Sequence, residues 1–382
     1  MQRTCLALAL FGSAALAACG GSNGDGAGNQ ALRTSFTRQV SFGDNLSDVG
    51  TYAVGAVQAL GGGRYTINGD SGALYPALTG KNWTELMAAQ FGLAPPCPAQ
   101  TGLDGDPGKG FSVPVTNFPD CYSYAQGGAR VTNPVGPQHR LTGSPLGQLT
   151  VPVATQVARH LAKTGGRFSG TEVVFVNAGA NDVLALLGQL NAGAAAAGQA
   201  ALAAEGPAAG ARAAAAYAAA QGPAMVAAMA AAGAELAALV TTQIVARGGN
   251  YVVVSNLPDL GSSPAARSQD ANTQALINAM IGAFNGQLQP GVSGQSKVLY
   301  VDLFGVSRDQ VVNPAPYGLA NTSTPACGPN ALQGSALVCK AGNLAGGDVS
   351  RYMFADDLHP TPFEHALIAK YVAGQMIIKG WL

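Results

Sequence analysis

The chain has 382 residues, 48% of them hydrophobic and only 10% charged, with Lys plus Arg and Asp plus Glu balanced at 20 each. That length makes one large domain or two ordinary ones, and the apolar fraction supplies ample material for a buried core. The charge balance excludes a basic field for nucleic acid and an acidic tail, so electrostatics name no partner.

At the N-terminus Arg3 precedes an apolar run over residues 5–18. The run is too short to cross a bilayer and has the length of a signal peptide. Leu16-Ala17-Ala18-Cys19 has the form of a bacterial lipobox, in which small residues precede a cysteine that is lipidated and becomes the first residue of the mature protein. Ordinary signal cleavage with Cys19 incidental is the alternative. The glycine-rich stretch that follows is too polar to fold, and some 16 residues of it reach roughly 20–25 Å. The expected organisation is a signal peptide over 1–18, a lipidated Cys19 and flexible tether over 19–37, and one domain over 38–382. This predicts an exported bacterial lipoprotein, anchored to a membrane through lipid at the outer membrane or periplasmic face.

From residue 38 onward short β-branched or aromatic runs alternate with helical patterns, which argues for parallel strands joined by helices. Strands are expected over 39–42, 121–124, 173–177, 251–255 and 298–301, and their near-continuous apolar character suits burial on both faces. Helices are expected over about 46–60, 83–91, 149–163, a long segment after Asp182, 269–288 and 362–379. The fold class is thus α/β, a doubly wound five-stranded parallel sheet flanked by helices. An alanine-rich insertion spans about 190–245, with breaks expected at Gly206-Pro207 and Gly222-Pro223. Glu205, Arg212, Gln221 and Glu235 interrupt it, so it reads as packed helices rather than a membrane span. Turn-rich segments over 61–80, 94–120 and 320–350 are long enough to wall a cleft. Tyr65, Tyr75 and Phe111 in them either line a pocket or pack within the loops.

Loss of Cys5 with the signal peptide and of Cys19 to lipid leaves Cys97, Cys121, Cys327 and Cys339. An even number in an exported protein suggests disulfides. Three pairings are open, of which Cys97–Cys121 with Cys327–Cys339 closes two local loops. No C-x-x-C spacing supports zinc, and no metal is expected.

Four motifs carry chemistry. Gly43-Asp44-Asn45-Leu46-Ser47-Asp48, Gly127-Gly128-Ala129 and Gly179-Ala180-Asn181-Asp182 each follow an expected strand, at the carboxyl edge where open α/β sheets bind ligands. Asp356-Asp357-Leu358-His359-Pro360-Thr361 lies before the last helix. Asp356, three residues before His359, is placed to accept from its Nδ1 and leave Nε2 as a base. His139, His160 and His365 lack such context and read as surface or core residues. Asp44 and Asp182 are expected to hold loops by accepting backbone N–H groups, and Ser47-Asp48 to start the helix after the first strand.

The four motifs in this order resemble the GDSL, or SGNH, family of esterases and lipases over about residues 38–382. Asn256-Leu257-Pro258-Asp259-Leu260-Gly261 also resembles bacterial members. The resemblance implies a carboxylic ester hydrolase acting through a Ser-His-Asp acyl-enzyme on an ester-containing small molecule or lipid, with no cofactor and with loops setting the substrate. It implies that Gly128 and Asn181 are oxyanion donors, that Asp356 and His359 form the D-x-x-H pair, and that position 45 is the nucleophile. Here that position is Asn45, and a carboxamide does not form an acyl-enzyme as a hydroxyl does. This chain is therefore expected to be impaired. The alternative is a non-catalytic ester- or glycan-binding surface lipoprotein. Ser47 lies beyond the turn and Ser41 inside the strand, so neither replaces the nucleophile, whereas the Asn45 amide can hydrogen-bond His359 or the oxyanion donors.

Overall fold

The computed structural model of the protein describes residues 34–69 and 80–382. Cys19, the expected signal peptide, nearly all of the expected tether and Tyr75 lie outside the described residues. In chain order the first elements are β1 (Gln39–Gly43), α1 (Gly55–Ala59), α2 (Trp83–Gln90), β2 (Gln100–Asp104), β3 (Ser112–Asn117) and α3 (Val153–Lys163). Then come β4 (Val173–Asn177), α4 (Ala180–Glu205), α5 (Pro207–Leu239), β5 (Tyr251–Ser255), α6 (Pro264–Arg267) and α7 (Ala271–Val292). The chain ends with β6 (Val298–Val301), α8 (Leu303–Val312) and α9 (Pro362–Ile378).

Four strands form a parallel sheet in the order β1-β4-β5-β6. Because successive strand residues point to opposite faces, two cores result. Val40, Phe42, Val174, Val176, Val252 and Val254 pack with α3, α5 and α7, where Met229, Leu236 and Phe284 are fully buried. Phe175, Val253, Leu299 and Val301 pack on the other face with Trp83 and Met87 of α2 and Val372 and Met376 of α9. Helices on both faces explain why β4, β5 and β6 are almost continuously apolar.

The expected fifth strand at 121–124 is corrected. That segment runs beside β1, with Ser41 N–H donating to Tyr122 O at 3.1 Å and Tyr124 N–H donating to Ser41 O at 2.7 Å, yet it forms only isolated bridges. The next ladder donor, Gly43 N–H, goes instead to Gln156 Oε1 of α3 at 2.8 Å, which breaks the ladder at that rung although Gln126 N–H still donates to Gly43 O at 3.1 Å. The helix expected over 46–60 is likewise replaced by a 3-10 turn over Asn45–Ser47 and the short α1. Asp48 Oδ1 accepts from Gly50 N–H at 2.9 Å and Thr51 N–H at 2.8 Å, and Gly50 sits at φ +124°, so helix geometry ends there. Ser47-Asp48 thus does not start a helix.

The alanine-rich insertion is a helical hairpin. Gly206-Pro207 breaks it as expected, but α5 runs straight through Gly222-Pro223. Interior proline costs about 3 kcal/mol, and here it is offset by burial of Met225, Met229 and Leu236 against α7. Pro207–Val245 is long and apolar enough to cross a membrane by composition, and in the fold it packs on α4 and α7. Segment 94–120 carries the antiparallel hairpin β2-β3. Its alternation is interrupted by a bulge between Thr101 and Leu103, and so is weak in the sequence. The cysteines pair as Cys97–Cys121 and Cys327–Cys339.

Candidate active site

At the carboxyl end of β1 the chain must turn sharply. A Cβ at Gly43 would lie 2.4 Å from Asn177 O, so only glycine permits this approach. Asp44 then fixes the turn, its Oδ1 accepting from Leu46 N–H at 3.1 Å and from Asn177 Nδ2 at 2.9 Å. Burial raises its carboxyl to about 7 against those hydrogen bonds. Ser47 is fully buried, donating to Asn177 Oδ1 and accepting from Trp83 Nε1, so its hydroxyl is committed away from His359.

The second segment is held by Asp48, a role sequence reasoning missed. While its Oδ1 closes the 48–51 turn, Oδ2 accepts from Gly127 N–H at 2.8 Å, and Tyr52 Oη donates to Gly127 O at 2.7 Å. Gly128 adopts φ +77°, and a Cβ there would stand 2.6 Å from Thr150 Cγ2. Asn181 lies in the first turn of α4, next to Asp182, which accepts from Val131 N–H at 3.1 Å and pairs with Arg130 Nε at 2.9 Å. Asp44 and Asp182 therefore hold loops as expected.

These elements bring Asn45, Gly128, Asn181, Asp356 and His359 together. Asn45 Oδ1 accepts from Gly128 N–H and from Asn181 Nδ2, both at 2.8 Å. Asn45 Nδ2 lies 3.0 Å from His359 Nε2, and His359 Nδ1 lies 2.9 Å from each carboxylate oxygen of Asp356. With Nδ1–H donated to Asp356, Nε2 is the acceptor for the Asn45 amide. Burial alone would raise the Asp356 carboxyl, but His359 and backbone donors at Ala336 and His359 outweigh it and hold the group at about 2. The Asp356 anion is thereby kept ionised and aimed at the imidazole.

Two further neighbours had no signal in the motifs. The Tyr65 ring packs 4.8 Å from the His359 ring, tilted by 37°, and its hydroxyl accepts from Gln148 Nε2 at 2.6 Å. Ala336 N–H reaches Asp356 Oδ2 at 2.7 Å from the loop closed by Cys327–Cys339. The sequence offered Tyr65 only as a pocket-lining or loop-packing residue, and for Ala336 only a long-range contact map would have served. Of the other histidines, His160 and His365 are buried core residues, and His139 accepts from Leu141 N–H in a surface turn.

Two cavities open on this centre, both lined by Asn45, Asn181 and His359. One is a wide cleft of about 930 Å³ that also includes Gly128, Tyr65, Phe111 and Leu332. The other, about 100 Å³, runs under the strand ends between Leu257, Leu303, Val306 and Ile368. Chemically the centre offers a base oriented by a carboxylate and two converging N–H donors, the parts of an acyl-transfer site. The position between them is filled by the Asn45 side chain itself.

Comparison with known proteins points to one family. The family model described as GDSL-like Lipase/Acylhydrolase matches residues 17–372. The chain is similar to GDSL esterase/lipase At2g40250 of Arabidopsis thaliana, 28% identical over 140 residues, covering 32% of this chain and 38% of the relative. It is also similar to GDSL esterase/lipase 7 of Arabidopsis thaliana, 31% identical over 133 residues, covering 32% and 36%. Anther-specific proline-rich protein APG of Arabidopsis thaliana is 28% identical over 145 residues, covering 36% and 27%. The chain thus spans well under half the length of these relatives.

Proposed function

The chain belongs to the GDSL-like lipase/acylhydrolase family, and from that membership we propose that it is a carboxylic ester hydrolase by construction, held nearly inert by Asn45. With serine at position 45, the hydroxyl would attack the ester carbonyl. His359 would take its proton and return it to the leaving alcohol, Asp356 would orient the imidazole, and Gly128 N–H with Asn181 Nδ2 would hold the oxyanion. The observation that carries this reading is the Asn45 side chain. Its Oδ1 receives the same two donors an oxyanion needs, and its Nδ2 meets His359 Nε2. A scaffold kept for binding alone needs neither the Asp356–His359 pair nor two donors aimed at one point.

The test restores one hydroxyl. Asn45→Ser should raise hydrolysis of a p-nitrophenyl short-chain ester by about 10³-fold or more, since loss of the nucleophile alone costs on the order of 10⁶ in a serine hydrolase of another fold. Adding His359→Ala should return activity to near the starting level, while the same change beside Asn45 should do little. A folded Asn45→Ser protein silent on esters of several chain lengths would favour the ester- or glycan-binding alternative.

The proposal extends to export. The apolar run ending at Cys19 supports a lipidated protein tethered to a membrane. Labelled palmitate should enter the protein and be lost in Cys19→Ser, and a mature protein beginning elsewhere would remove the claim.

A further inference from the structure

The small cavity is apolar along Leu257, Leu303, Val306 and Ile368, but it also contains polar groups that the fold leaves unused. Glu364 of α9 and Gln310 of α8 line it, 3% and 2% exposed. Gln310 donates to the Glu364 carboxyl, which leaves Glu364 Oε2 and Gln310 Oε1 without partners.

The position of Glu364 makes this informative. Thr361-Pro362-Phe363-Glu364 has the form of a capping box, in which the glutamate reaches back to the N–H of the cap residue. Here Thr361 Oγ1 caps Glu364 N–H at 3.1 Å, but Thr361 N–H is donated to Met353 O at 3.0 Å. The carboxyl is thereby released from its usual helix-start duty and faces Gln310 and the cavity. Burial raises it to about 8, so at neutral pH it carries a proton and presents an O–H. A protonated carboxyl can donate to the neighbouring Gln310 carbonyl when the cavity is empty, and an alcohol hydroxyl placed between them would accept from Glu364 and donate to Gln310 in its stead.

The sizes of the two cavities sort the halves of an ester. In an acyl-enzyme sequence the alcohol leaves and water enters before the acyl group departs, so the alcohol side needs the open route and the acyl side tolerates enclosure. A volume of about 100 Å³ holds roughly four carbon-sized atoms, since a cavity of about 150 Å³ takes benzene. We infer that, in the hydrolase proposed above, the small cavity binds the acyl chain, and that this chain is a short hydroxyalkanoyl group whose hydroxyl sits between Glu364 and Gln310. The alcohol moiety lies in the wide cleft beside Tyr65 and Phe111.

Two arms test this, only one of which needs turnover. In the Asn45→Ser protein, kcat/KM is measured on methyl butyrate and on its 3-hydroxy and 4-hydroxy analogues by acid release. At least one hydroxy ester should be preferred by about tenfold, the value of one buried hydrogen bond. Glu364→Leu should bring the ratio to one or reverse it, and Glu364→Gln, which keeps a donor, should retain most of it. In Asn45→Ala, whose donors are free and whose hydrolysis is not required, calorimetry should show hydroxybutyrate binding about tenfold tighter than butyrate, with the difference lost in Glu364→Leu. If Asn45→Ser hydrolyses all three esters equally and Glu364→Leu leaves the ratio unchanged, the hydroxyacyl inference is overturned and the hydrolase reading stands. If Asn45→Ser hydrolyses nothing, the hydrolase reading fails, and calorimetry decides the pocket: equal affinities overturn it, and a preference dependent on Glu364 supports it.

Discussion

Asn45 offers an acceptor to two donors and a donor to one base, so it closes a hydrogen-bonded circuit that a serine would leave open for substrate. The residues behind it matter as much as those in it. Asp48 accepts three backbone N–H groups, from Gly50, Thr51 and Gly127. Leaving buried donors unpaired costs about 1–3 kcal/mol each. Asp48→Ala should therefore lower stability by about 3 kcal/mol or more in urea denaturation. In the Asn45→Ser background it should also cut ester hydrolysis, because Gly127 leads directly to the Gly128 donor. Asp356→Asn in that background tests orientation of the base. It should lower kcat by about 10³–10⁴-fold with little change in KM, as when the corresponding aspartate of an unrelated serine protease is replaced.

Among elements, the sites of failure and success in reading the sequence have separate causes. The four parallel strands and the helices over 83–90, 153–163, 271–292 and 362–378 follow their apolar patterns closely. The structure also brings together Asn45, Asn181 and His359, whose motifs stand at a strand end or before a helix, whereas Gly128 follows a segment that only bridges to β1. The segments misread were those decided by a side chain taking a backbone N–H, one distant and one local. Gln156 takes a rung from the pairing beside β1, and Asp48 ends the expected first helix by taking Gly50 and Thr51. Neither effect has a periodicity to reveal it. The unbroken α5 shows the converse, since packing against α7 overrides a Gly222-Pro223 signal. Pro223→Ala should accordingly stabilise the protein by about 1–3 kcal/mol without changing the fold, measurable as a higher urea midpoint at equal slope. The loop closed by Cys327–Cys339, 12 residues apart, delivers Ala336 N–H to Asp356. Replacing both cysteines by serine should cost about 2–3 kcal/mol and lower activity in the Asn45→Ser protein.

The molecule as a whole carries its buried acids on both sides of the ordinary carboxylate range. Glu364, at about 8, binds its proton more tightly when folded than when unfolded. Between pH 4.5 and 8 the folded state holds a proton that the unfolded state has released, so stability falls as pH rises through that window, at up to about 1.4 kcal/mol per pH unit. Asp356, at about 2, acts oppositely: its contribution is present above the usual aspartate range and is lost as pH falls toward 2. Thermal melts between pH 5 and 8 should show a steeper decline for the native chain than for Glu364→Gln, and equal slopes would refute the protonated state.

The closed circuit at position 45 also determines how this protein would be seen in a mixture. Fluorophosphonate reagents report serine hydrolases by phosphorylating an activated hydroxyl, and here His359 is engaged by an amide that cannot be phosphorylated in that way. On the proposed function, the chain should pass unlabelled through a survey of active esterases while holding the fold and the proposed base and donors of a labelled one. On the same function, Asn45→Ser alone should make it visible.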